Sequence, residues 1–130
     1  MSTAPRKTEN SVQVSVLVWI RENVSPLVWH CANGGSRHKL EARKLKTLGV
    51  KAGVPDLMFI AQHGPTRGMT YYIEVKAPDG HVDIEQKKFA REAQELGTPC
   101  AVVFSKAEAI AQCKAWGVAK ISCSLVAVNQ

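Results

Sequence analysis

Three ionisable residues stand where the sequence otherwise supplies strand-forming apolar residues. Asp56 stands near the start of the run VPDLMFIA over residues 54–61, and Glu74 and Lys76 interrupt the run TYYIEVKA over 70–77. In a strand alternate side chains share a face, so Glu74 and Lys76 lie together while Ile73 and Val75 point the other way. A carboxylate and an ammonium are expensive to bury in a central strand. A cross-strand ion pair on an exposed face accounts for those two residues. It leaves Asp56 unexplained, a second carboxylate on the neighbouring run behind Pro55, whose ring fixes the backbone. Two carboxylates converging from adjacent strands suit a hard cation of the Mg²⁺ type, which offsets their mutual repulsion. A lysine beside them can orient or deprotonate a water that attacks a phosphodiester. The spacing favours this chemistry over the plain ion pair.

The charge balance suits such a substrate. Seventeen Lys and Arg against eleven Asp and Glu give a net charge of +6 and a pI near 9.3. The excess gathers at Arg37, Lys39, Arg43, Lys44, Lys46 and Lys51, where Glu41 is the one local acid. That composition fits a phosphate backbone, and equally a solvated helix face. The cysteines Cys31, Cys100, Cys113 and Cys123 form no CxxC pair. They read as buried free thiols, with a zinc site using His30 or His38 the weaker alternative. His38, His63 and His81 fall in loops or at element ends and read as solvated. The longest apolar stretch near the N-terminus, 12–20, is broken by Gln13 and Ser15 and closed by Arg21 and Glu22. It falls short of the ~20 residues of a membrane span, so a soluble, cytoplasmic protein is expected.

The elements that must position these residues follow from periodicity. Residues 1–7 read as a flexible tail and 8–130 as a single domain. Val12, Val16, Trp19 and Ile20 recur at helical spacing within 9–23. Residues 27–32 read as a short strand ended by the turn Asn33-Gly34-Gly35. A basic amphipathic helix follows over 37–48, with Ala42, Leu45 and Leu48 on one side and Gly49 as its stop. Two strands at 54–61 and 70–77 form a hairpin. A helix over 83–96 leads to a strand at 98–105 whose apolar run suits burial on both faces. A last helix spans 106–116, and 121–128 could add a strand. The order αβαββαβα implies an α/β fold, a mixed sheet flanked by helices.

Pro55-Asp56, seventeen intervening residues and then Glu74-Val75-Lys76 resemble the short PD-(D/E)xK nuclease signature. The wider context is more specific. Asn33 to Arg37, the segment LKTLGVKAGVPDL over 45–57, Ile73 to Ala77, Gly80, Gln86 and the strand from Gly97 to Ser105 resemble the VRR-NUC, or virus-type replication-repair nuclease, family. The resemblance runs from about Glu9 to Trp116. It implies a restriction-endonuclease-like core and phage or bacterial stand-alone relatives. The segment after Gly117 is not explained by the family pattern.

The resemblance also implies roles. Asp56 and Glu74 match the metal-binding carboxylates, the main-chain carbonyl of Val75 the usual extra oxygen ligand, and Lys76 the catalytic lysine. Gln86 matches the glutamine that follows the catalytic strand. Glu9 with Gln13 matches the Glu-x-x-x-Gln of the first helix, whose acid helps complete the metal site. Two of these residues have a second reading. Asp83 and Gln86 form a capping box, although Gln86 shares a helical face with Phe89, Ala90 and Ala93. Glu9 suits the helix dipole as a first-turn acid, although it shares a stripe with Gln13, Val16 and Ile20. Asn33 and Arg37 bracket a Gly-Gly turn that could approach phosphates.

The resulting expectation is an Mg²⁺-dependent DNA endonuclease, with Mn²⁺ able to substitute, selecting branched, junction or flap DNA. Asn33, Arg37, Lys39, Arg43, Lys46 and Lys51 would hold the phosphate backbone without reading bases. A homodimer is expected, with Trp19, Trp29 or the segment 121–128 as contact surface. The alternatives are a nucleic-acid-binding module without catalysis, a restriction-type enzyme, or an RNA-cleaving relative.

Overall fold

The computed structural model describes residues 7–32 and 39–121. Eight elements follow in chain order: α1 (Glu9–Asn23), β1 (Val28–His30), α2 (Lys39–Thr47), β2 (Leu57–Ile60), β3 (Thr70–Val75), α3 (Ile84–Glu95), β4 (Cys100–Val103) and α4 (Lys106–Trp116). The order is the expected αβαββαβα. The turn at 33–35, Arg37, Cys123 and all of the optional strand except Ile121 lie outside the described residues.

The four strands form one mixed sheet in the order β1-β2-β3-β4. The β1–β2 and β2–β3 pairs are antiparallel, the latter with Leu57 opposite Ile73, and β3–β4 is parallel with Val75 opposite Val103. A parallel neighbour requires a crossover, and α3 supplies it. One sheet face carries Val28, Leu57, Phe59, Tyr71, Ile73 and Val75, all buried, and meets Val12, Val16 and Ile20 of α1 and Ala109 and Cys113 of α4. Phe59 and Tyr71 stack at 5.2 Å, and Trp116 lies 4.8 Å from Tyr71. On the other face Tyr72 meets Phe89 of α3 edge-on at 5.2 Å. The sheet thus separates an apolar layer from a layer in which Glu74 faces α3.

Local chemistry sets the helix ends. Thr8 caps α1 in a box with Ser11, Asp83 caps α3 in a box with Gln86, and Ser105 caps α4. Gly117 closes α4 in the left-handed conformation that favours glycine. No described helix is long and apolar enough to cross a membrane.

Several expectations need correction. The strands are shorter than their apolar runs. Glu74 therefore stands at the end of β3 and Lys76 one residue beyond Val75, not mid-strand. The Lys76 N–H still reaches the Val103 carbonyl at 2.9 Å. Cys100, Ala101 and Val102 are half-buried: β4 is covered by α3 and α4 but forms an edge of the sheet among the described residues. The apolar stripe of α2 does not close on the core, since Ala42 is exposed, Leu45 half-buried and Leu48 71% exposed. Trp19 and Trp29 are half-buried rather than exposed, and Trp19 packs against the core.

Candidate metal centre

Asp56 sits immediately before β2 and is held at both ends. Its main-chain carbonyl accepts from Cys31 N–H at 2.7 Å, and His30 Nδ1 lies 2.8 Å from the same oxygen. Its Oδ2 accepts from the Val75 N–H at 2.8 Å. The Asp56 backbone is thereby tied to β1 and its carboxylate to β3. The preceding loop is fixed by Gly53, whose φ is +82°, a conformation L side chains rarely adopt. A Cβ there would run into the Glu85 carbonyl at the start of α3.

Glu74 is 3% exposed and Lys76 8%. Glu74 Oε1 accepts from Gln86 Nε2 at 3.0 Å and lies 3.7 Å from Lys76 Nζ. Gln86 Oε1 accepts from the Asp83 N–H at 3.0 Å, and Asp83 Oδ1 accepts from the Gln86 N–H at 2.9 Å. The capping contacts and the contact with Glu74 therefore coexist. The capping box fixes the side chain by its oxygen and leaves the amide NH₂ free to grip Glu74.

The first turn of α1 contributes Glu9. Carboxylate oxygens of Glu9, Asp56 and Glu74 all lie within 4.8 Å of one another. Burial, contact with Asp56 and the Glu9 charge push the Glu74 carboxyl up to about 9, against the opposing pull of Lys76. These influences favour the protonated form of Glu74 in the metal-free protein. Its Oε2 is a buried oxygen without a hydrogen-bond partner among the described residues. An orphaned buried oxygen amid three converging carboxylates fits a hard divalent cation. A cleft of about 560 Å³ opens here, lined by His30, Cys31, Gly53, Asp56, Glu74 and Gln86 among others.

The model of the VRR-NUC domain matches residues 6–114. The chain belongs to the VRR-NUC family. That family is a nuclease family, and the carboxylate cluster lies inside the matched span. A solved structure, a "VRR_NUC domain protein", is similar over 85% of this chain and 88% of that one, with 24% identity and a TM-score of 0.64. It shares the fold. No curated protein matches the chain.

The expected basic residues of this VRR-NUC domain are dispersed. Asn33 and Arg37 lie outside the described residues. Lys39 opens α2, and Arg43 and Lys46 are exposed on it. Lys51 pairs with Glu92 at 3.5 Å. Lys46 and Lys51 line a cleft of about 400 Å³ that shares Ala52 and Glu85 with the carboxylate cleft and also includes Lys88. Lys88 was not singled out from the sequence, because an exposed helix lysine carries no motif. His30 and Cys31 were missed as parts of the site for a different reason. Their link to Asp56 is a strand pairing, His30 opposite Leu57, with no local sequence signal. Burial pushes the Cys31 thiol up, with a further push from the Asp56 charge.

Proposed function

We propose that the chain is a divalent-metal-dependent nuclease that hydrolyses phosphodiester bonds in DNA, choosing its substrate by structure rather than sequence. The observation that carries this reading is the convergence of Glu9, Asp56 and Glu74 within 4.8 Å beside the Lys76 ammonium. In this reading Asp56, Glu74 and Glu9 hold the cation with the Val75 main-chain carbonyl. A bound Mg²⁺ or Mn²⁺ supplies Lewis-acid polarisation of the phosphate and a lowered pKa for water. Lys76 orients the attacking water and stabilises charge that develops on the phosphate oxygens. Gln86 keeps Glu74 aimed into the site and leaves one carboxylate oxygen open. Lys46, Lys51 and Lys88 hold the backbone in the adjoining cleft, with Arg43 on α2 extending the contact.

A binding module without catalysis has little use for three acids beside phosphates, which repel them. The net charge of +6 and the family's nuclease character support a polyanionic substrate. The testing experiment incubates the protein with supercoiled plasmid, linear duplex, flap, four-way junction and single-stranded RNA, each with Mg²⁺, Mn²⁺ or EDTA. Cleavage of branched DNA, dependent on metal and abolished in Asp56→Asn, is the expected result. Preference for RNA, or cleavage unaffected by EDTA, would overturn it. The reading includes a homodimer, supported by the prevalence of two-fold pairing among small proteins and by exposed Val14 and Val18 one turn apart on α1.

A further inference from the structure

His30 belongs to no motif, yet it stands between the two segments that bring Glu9 and Asp56 together. Its Nδ1 lies 2.8 Å from the Asp56 carbonyl oxygen and 3.1 Å from Gln13 Nε2. A carbonyl oxygen only accepts, so Nδ1 carries the hydrogen and donates it to Asp56. The Gln13 NH₂ cannot accept that hydrogen. The network therefore assigns the Gln13 amide with its nitrogen and oxygen exchanged, so that the oxygen faces the ring. One N–H is then shared between an oxygen on α1 and an oxygen at the start of β2.

The consequence lies one helical turn away. Gln13 is four residues after Glu9 and on the same face of α1. Asp56 and Glu74 are already held, Asp56 by the Cys31 and Val75 N–H groups and Glu74 by Gln86. Glu9 is exposed and comes from the first turn of its helix, so its carboxylate depends on how that turn is seated. We propose that His30 is a positioning residue, which through Gln13 seats the Glu9-bearing turn of α1 against Asp56 and so sets the third carboxylate of the site. This inference rests on the reading of Glu9, Asp56 and Glu74 as a metal centre. Groups behind metal ligands are worth about 10–100-fold in affinity when removed, and the same scale applies here.

The test measures Mn²⁺ binding to the full chain by calorimetry and electron paramagnetic resonance, without substrate. His30→Ala weakens Mn²⁺ binding by about 10–100-fold. His30→Asn restores it, because the asparagine amide stands where the ring Nδ1 stood. His30→Gln does not, because its amide falls at the far side of the ring. In a Glu9→Gln background, itself weakened, His30→Ala causes no further loss. Metal-free melting temperatures check that the variants are folded. Gln13→Ala, which leaves His30 on Asp56, should reproduce the loss. Wild-type affinity in His30→Ala, indistinguishable Asn and Gln variants, or an undiminished loss in the Glu9→Gln background would overturn the proposal. The last outcome would mean that His30 acts on Asp56 alone. If the wild type bound no Mn²⁺, the metal reading itself would fall, and this inference with it.

Discussion

Glu74 is held by opposing demands. Burial and two neighbouring acids favour its protonated form, and Lys76 pulls the other way without reversing the balance. Its folded value of about 9 stands above the ordinary 4.5, so ionising it opposes folding. The penalty is absent below pH 4.5, grows as pH rises and is complete above pH 9. Glu74→Gln should therefore stabilise the metal-free protein by about 1–3 kcal/mol at pH 7. Thermal melts in EDTA from pH 5 to 9 should show the gap between variant and wild type widening with pH. The same variant should lose cleavage and any metal-induced rise in melting temperature. A cation must displace the Glu74 proton, so wild-type metal affinity should rise with pH, and calorimetry in buffers of different ionisation enthalpy should register proton release. Lys76 separates binding from turnover. An ammonium is no metal ligand, so Lys76→Ala should still bind Mn²⁺ while cleavage falls by about 10²–10⁴-fold. Lost Mn²⁺ binding in that variant would contradict the role given to Lys76.

At the scale of elements, the site is assembled where α1, β2, β3 and α3 meet, and the loop before β2 carries much of the burden. Gly53 lets that loop lie against the first turn of α3, which holds Gln86. Gly53→Ala should cost about 1–3 kcal/mol of stability through its positive φ, and should reduce cleavage further by displacing Gln86 from Glu74. Retained stability and activity together would show that this contact is dispensable. The element order was legible in the sequence, because apolar spacing, the cap at Asp83 and the stop at Gly49 are local signals. So were Asp56, Glu74 and Lys76, since charges inside apolar strand runs are conspicuous. Gln86 was legible as a cap, but its grip on Glu74 required knowing that α3 crosses the Glu74 face. The link from His30 to Asp56 and the Lys51–Glu92 pair were not legible, being products of strand register and loop path. The α2 stripe misled for a related reason. Periodicity reports amphipathicity, not whether the tertiary structure offers the apolar side a partner. Lys46 and Lys88 come from α2 and α3 and share one cleft, so replacing both with alanine should weaken binding to all DNA sequences alike. The salt slope should flatten by about two units. An unchanged slope would leave them as solvated surface.

For the whole molecule, the number of sites decides what substrate can be processed. Among the described residues one chain carries one carboxylate cluster, and cutting both strands of a junction or duplex in a coordinated way needs two. A two-fold pair provides them with a single self-complementary contact. Of the surfaces expected for that contact, Trp19 packs against its own core, Trp29 is half-buried and 122–128 lies outside the described residues. Val14 and Val18, 59% and 41% exposed, form a short apolar strip on α1, and β1 is an outer strand of the sheet that α1 covers. A pair joined along this side would keep α3 and the basic cleft free for nucleic acid, because those lie with β3 and β4. Light scattering at micromolar concentration should therefore give twice the 14.2 kDa of one chain. Val14→Glu with Val18→Glu, exposed substitutions that leave the core untouched, should return the mass to that of one chain. Those variants should still nick one strand of a branched substrate while losing paired cuts. A single-chain mass for the wild type, at a concentration where paired cutting persists, would rule the dimer out.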